Sequence, residues 1–96
     1  MKPSAALDAN REFVRRAALA HRLHNPRVFG SALRGDDTDE SDLDLLVDPS
    51  DDTSLLDIAR LQVELEARLR VAVDVVTPAA LPEKFRARVL LEARPV

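Results

Sequence analysis

The run Ser41-Asp42-Leu43-Asp44-Leu45-Leu46-Val47-Asp48 constrains this chain more than any other. It reads as a β-strand closed by Pro49-Ser50. Asp42 and Asp44 stand at its front, two residues apart, so on a strand both point to the same face. Two carboxylates held side by side repel one another unless positive charge lies between them. A divalent cation is the usual solution, and carboxylate oxygens suit the hard ions Mg2+ or Mn2+.

Upstream, Arg27 to Gly30 reads as a short strand that leads into Ser31-Ala32-Leu33, one helical turn. The only two glycines, Gly30 and Gly35, bracket that turn. Glycine is suited to a place where backbone approaches something closely or takes a positive φ. Asp36 to Glu40 is loop. The connection between the two strands is too long for a tight hairpin, and such a loop can hold a ligand.

The remaining elements follow from periodicity. Ser4 to about Leu23 reads as one helix, with Phe13, Ala17, Ala20 and His24 at helical spacing and Leu7 and Val14 widening the stripe. Ser4 or Asp8 can cap its start, and His24-Asn25-Pro26 stops it. Ser54 and Asp57 form a capping box for a helix whose apolar face is Leu55, Ile58, Leu61, Leu65 and Leu69. Arg70 to Thr77 reads as a third strand, apolar on both faces except for Asp74, which points to a central or well-covered position. Pro82 suits the first turn of a last helix, Leu81 to Glu92, with Phe85, Val89 and Leu90 as its stripe. The order is α-β-β-α-β-α. The expected fold is an α/β (α+β) sandwich, with helices packed on a small mixed sheet and a single domain spanning residues 1–96.

Composition narrows the function. A chain of 96 residues buries one modest core. With no cysteine there is neither a disulfide framework nor a thiolate metal site. No apolar run approaches the roughly 20 residues of a membrane span, and residues 1–13 lack an apolar signal core, so a cytoplasmic protein is expected. The net charge of −3 is unevenly spread: +5 over residues 1–34, −10 over 35–57 and +2 over 58–96. Most of those central acids read as a solvated loop, yet an acidic centre between basic ends could also hold cations beside an anionic ligand. A Ca2+-binding loop fails on spacing, because the acids run into a strand and no central glycine or terminal Glu is placed for it. His21 and His24 lack a completing carboxylate or cysteine for zinc and read as structural. Arg11, Arg15, Arg16 and Arg22 sit mostly off the apolar stripe and could meet nucleic acid, but without Tyr or Trp to stack on bases direct nucleic-acid binding is not expected.

Three acids then suggest chemistry. If the strands bearing Asp44 and Asp74 are neighbours, Asp42, Asp44 and Asp74 make a three-carboxylate cluster. Such a cluster can hold two divalent ions for an in-line phosphoryl displacement. Asp42 and Asp44 would bridge the ions, and Asp74 would serve the attacking hydroxyl. Gly30 and Ser31 supply backbone N–H groups and a hydroxyl for phosphate oxygens, and Arg34, one turn on, can lie against the same phosphates. Each residue taken singly has an ordinary structural explanation: a loop cap, an ion pair, an edge-strand charge, a turn glycine. The joint spacing, Gly-Ser, ten residues, then Asp-x-Asp, arises by chance on the order of once in a thousand.

Phe29-Gly30-Ser31-Ala32-Leu33-Arg34-Gly35 followed by Ser41-Asp42-Leu43-Asp44-Leu45-Leu46-Val47 resembles the signature of the DNA polymerase β-like nucleotidyltransferase superfamily. Over residues 10 to 92 the chain is similar to its smallest members, the minimal nucleotidyltransferases (MNT). The resemblance implies a nucleotidyltransferase-like fold, nucleotide phosphate at Gly30 and Ser31, and metal at Asp42 and Asp44, with Asp74 as the third acid. It implies two Mg2+ ions and ATP as substrate. It also implies a HEPN-domain RNase toxin as partner in a hetero-oligomer, with AMP transferred to a tyrosine hydroxyl of the toxin and the MNT protein acting as antitoxin. The alternative is a non-catalytic antitoxin that neutralises its partner by covering it. The chain has no room for a separate acceptor-holding domain, which agrees with an acceptor presented by a partner.

Overall fold

In the computed structural model, which describes residues 1–96, the acidic run forms strand β2 (Leu43–Pro49), which starts two residues later than expected, so that Asp42 lies in the loop just before it and Pro49 is its last residue. Its alternation sorts the side chains. Leu43, Leu45 and Val47 are wholly buried on one face, and Asp44, Leu46 and Asp48 lie on the other. Strand β1 (Leu23–Phe29) pairs antiparallel with β2, and β3 (Val73–Val76) pairs parallel with its other edge. A two-residue strand, β4 (Arg94–Pro95), lies antiparallel to β1, giving the sheet order β3-β2-β1-β4. Parallel neighbours require a crossover, and helix α4 (Leu55–Leu69) supplies it between β2 and β3.

Helices α1 (Pro3–Asp8), α2 (Arg11–Ala20) and α4 cover one face of the sheet. There Leu7, Val14, Ala17, Leu61, Leu65 and Leu69 close over the inward residues of the strands to make the main core. The opposite face is covered in part. Leu81, after a 3-10 turn (Pro78–Ala80), and Ala93, after helix α5 (Glu83–Glu92), bury Leu46, with Val76, Phe29 and Val89 packed around them. That small cluster leaves the leading ends of β2 and β3 on this face uncovered, with Asp44 and Asp74 on them.

The chain departs from the expected order in several places. The single N-terminal helix is two. The Asn10 side-chain amide donates to the Ala6 carbonyl at 2.9 Å, and its backbone N–H donates to Leu7 at 2.9 Å, so the α1 ladder ends there. The kink lets Leu7 and Val14 both enter the core. Neither Ser4 nor Asp8 caps a helix through its side chain: Lys2 is the N-cap of α1, Ser4 reaches Asp37, and Asp8 pairs with Arg11. His24-Asn25-Pro26 does not end a helix but lies inside β1. The chain turns at Arg22 (φ 63°), and a register shift between His24 and Arg27, with Asn25 at φ 51°, makes room for the proline. His21 faces Glu64 and His24 faces Ser50, so the two imidazoles serve separate contacts.

Strand β3 is an edge strand rather than a central one. It is apolar on both faces because Val73 and Val75 enter the main core while Val76 meets the Leu46–Leu81 cluster. Its outward N–H groups are covered by α4: Val73 donates to Glu66 Oε2 at 3.0 Å and Val75 to Gln62 Oε1 at 3.2 Å. The edge is thereby blocked to further pairing. The capping box of α4 forms as expected at Ser54 and Asp57. Its apolar stripe meets the core only from Ile58 onward, and Leu55 is 85 % exposed. Helix α5 begins at Glu83 with Pro82 as its N-cap, and Phe85 and Leu90 are exposed rather than buried.

Candidate active site

β1 delivers the chain to Gly30, where the backbone turns into a short helix, α3 (Gly30–Arg34). Gly30 has φ +73° and Gly35 has φ +83°, so both glycines expected at this turn adopt the left-handed conformation. At Gly30 a second requirement operates: a Cβ there would collide with Asp44 Oδ2. The Gly-Ser turn is therefore packed directly against the Asp44 carboxylate, and any larger residue would displace one or the other.

Across the sheet, Asp44 lies opposite Phe29 on β1 and opposite Asp74 on β3. Parallel register puts the Asp44 and Asp74 side chains on the same face. Asp42, one residue before β2, precedes Asp44 by one strand period, and both it and Asp74 are exposed, whereas Asp44 is half-buried. This difference shows in the electrostatics. The Asp44 carboxyl is pushed up to about 6, first by burial, then by the neighbouring Asp74 and Asp42 carboxylates, with the Arg34 guanidinium opposing them. The fold thus brings together Asp42, Asp44, Asp74, Gly30 and Arg34 at one end of the open sheet face, with Ser31 following Gly30. Arg34 itself is exposed, and its Nε lies 3.6 Å from Asp36 Oδ2.

No group of three carboxylate or imidazole side chains is drawn to metal-ligating spacing. The donor set itself suits a hard cation: carboxylate oxygens only, two on neighbouring strands and one just before β2, with Asp44 already destabilised as an anion. Asp37, which the charge pattern assigned to a solvated loop, is 4 % exposed. It accepts hydrogen bonds from the Ser4 backbone N–H at 2.8 Å and the Ser4 hydroxyl at 3.1 Å. These bonds, the backbone one foremost, hold its carboxyl below the usual range against the opposing effect of burial. The sequence carried a faint signal for this, since Lys2 leaves the start of α1 without a local acceptor.

Comparison with known proteins bears on the same residues. A Methanocaldococcus jannaschii protein provisionally named a protein adenylyltransferase is 39 % identical over 75 residues, covering 78 % of this chain and 81 % of its own. Protein adenylyltransferase MntA of Thermococcus cleftensis is 42 % identical over 65 residues, 68 % of this chain and 66 % of its own. A solved structure provisionally described as a minimal nucleotidyltransferase superposes with a TM-score of 0.87 at 43 % identity, covering 97 % of this chain and 95 % of the other. A toxin–antitoxin crystal structure with AMP-PNP shares the fold at a TM-score of 0.76 and 20 % identity, covering 90 % of this chain and 71 % of the other. The family pattern "Polymerase beta, Nucleotidyltransferase" matches residues 23–96, from the start of β1 through the glycine turn and the paired aspartates to the end of the chain. With a fold and a strand pair of this kind, the chain belongs to the polymerase β family of nucleotidyltransferases and is a nucleotidyltransferase.

Proposed function

We propose that this protein transfers AMP from ATP to a hydroxyl group of a partner protein, and that the partner is a HEPN-domain RNase toxin modified on tyrosine, for which this chain is the antitoxin. The observation that carries the proposal is the register of Asp44 against Asp74 beside a glycine turn where a Cβ would meet the Asp44 carboxylate. Gly30 lets the backbone approach a phosphate without obstruction, and Ser31 adds an N–H and a hydroxyl donor. Arg34, already close enough to Asp44 to influence its charge, is positioned to meet phosphate oxygens. Asp42, Asp44 and Asp74 would hold two Mg2+ ions, or Mn2+. Such ions, when bound, neutralise phosphate charge and favour the ionised acceptor oxygen.

The chain's own residues account for the rest of the transfer. The acceptor oxygen forms a bond to the α-phosphorus, the bond to pyrophosphate breaks, and the hydroxyl proton passes to the Asp74 carboxylate. Asp74 suits that role because it is the exposed member of the strand pair, at the sheet edge where an incoming acceptor has access. A protein acceptor is supported by the names of the relatives. Exposed Leu56 and Val63 on α4 and Phe85 and Leu91 on α5 offer apolar surface to a partner. These same residues favour the second reading, neutralisation by covering the toxin without chemistry.

Intact-protein mass spectrometry separates the two. Incubated with ATP and Mg2+, the toxin partner should gain the mass of AMP, and Asp42→Asn/Asp44→Asn should abolish the gain. Neutralisation that survives both substitutions with no mass change would leave the binding reading standing and discard the enzymatic one for this pair.

A further inference from the structure

The loop between Gly35 and Leu43 has no regular structure, and Asp36, Thr38, Asp39 and Glu40 along it are all exposed. Asp37 is its one buried residue, fastened to Ser4 thirty-three positions away. Beyond it the chain closes on itself: the Thr38 N–H donates to Ser41 Oγ at 2.9 Å, and the Ser41 N–H donates to the Thr38 carbonyl at 3.1 Å. Leu43 N–H then donates to the Ala72 carbonyl at 2.8 Å, tying the start of β2 to the residue before β3. Asp42 sits between these two anchorages. Its exposed carboxylate depends on the backbone on either side for its position.

Resting on the nucleotidyltransferase site proposed above, we infer that the Ser4–Asp37 contact is a clamp that fixes the loop carrying Asp42, making Asp37 a positioning residue for metal-dependent nucleotide binding. The geometry gives Asp37 two separable duties. Toward α1 it serves as an N-cap supplied from a distant loop, because Ser4 is the second helical residue and its N–H has no intrahelical acceptor. Toward the site it removes the freedom of a loop that otherwise would hold Asp42 only from the β2 side. Groups hydrogen-bonded directly to metal ligands are worth on the order of 10–100-fold in affinity; Asp37 acts one step further back, through the loop backbone, so the lower end of that range applies. The order of the loop is thus tied to the packing of α1.

The two duties come apart in one experiment. Asp37→Ala removes both the cap and the clamp. Lys2→Asp added to it supplies a local N-cap acceptor for the Ser4 N–H and restores only the cap. Binding of AMP-PNP in the presence of Mg2+ is read by calorimetry, thermal stability by melting, and loop order by amide hydrogen exchange over residues 36–42. Asp37→Ala should lower Tm, speed loop exchange and weaken AMP-PNP binding about tenfold. The double variant should recover Tm while loop exchange stays fast and binding stays weak. Recovery of binding along with Tm in the double variant would reduce Asp37 to a cap and overturn the inference. So would unchanged binding in Asp37→Ala beside a wild type that binds. A wild type that binds no AMP-PNP would instead discard the nucleotide site, and this inference with it.

Discussion

Asp44 is the residue on which the site turns, because burial and two like charges act on it together. With its carboxyl raised to about 6 in the folded protein against an ordinary value near 4, the folded state binds a proton more readily than the unfolded one. The folded state is therefore favoured most below about pH 4, and that advantage is lost as pH rises through about 6. Asp44→Asn removes the ionisation, so its Tm should exceed that of the wild type at pH 8, with the gap closing by pH 4. Melting curves across that range check it, and a variant that is no more stable at pH 8 counts against the burial and repulsion that raise this carboxyl. Gly30 offers the complementary test. Gly30→Ala must hold a left-handed φ, which costs about 1–2 kcal/mol, and must also push aside the Asp44 carboxylate. Its AMP-PNP affinity and AMP transfer should fall by far more than its stability. Gly35 has the same sign of φ but open space around it, so Gly35→Ala should lose stability alone.

Among the elements, α4 is the crossover that makes β2 and β3 parallel neighbours and hence places Asp44 beside Asp74. Its start was legible because a capping box is a local matter: Ser54 accepts from the Asp57 N–H, and the Asp57 side chain accepts from the Ser54 N–H. Ser54→Ala should cost about 1 kcal/mol, seen as a fall in Tm with little change in AMP-PNP affinity. Leu65, wholly buried between α4 and the sheet, is a harsher case, and Leu65→Ala should cost about 2–5 kcal/mol in chemical denaturation. The N-terminal helix was misread for an equally physical reason. The apolar stripe of residues 7–20 is compatible with one helix, and nothing in the spacing reveals that the Asn10 amide turns back on Ala6. The valines on both faces of β3 suit either a central or a well-covered strand, and the structure takes the second: an edge strand packed on both faces. Which faces are covered depends on Leu81, which lies beyond the strand in sequence and packs back over it.

For the molecule as a whole, the absence of a second layer over the front of the sheet leaves the carboxylates open to a ligand. If Mg2+ and AMP-PNP bind only the native protein, a concentration about 100 times Kd should raise Tm by on the order of 10 °C at neutral pH. The rise should shrink at pH 5, where Asp44 is largely protonated, and a shift that does not depend on pH would argue against Asp44 as a ligand. By itself the sequence determined the glycine turn, the strand that carries Asp44, the capped helix that follows it and the family to which these belong, whereas Asp42, read as part of that strand, lies one residue before it. All of these are short-range: φ preference, alternation of side chains and a three-residue cap act between near neighbours. Tertiary structure alone decided that β3 lies at the edge with Asp74 in register with Asp44, that Asp37 is an anchor and not a solvated acid, and that α1 and α2 separate at Asn10. Each of these depends on a partner far away in sequence, and only packing brings such groups to within hydrogen-bonding distance or takes a carboxylate out of water.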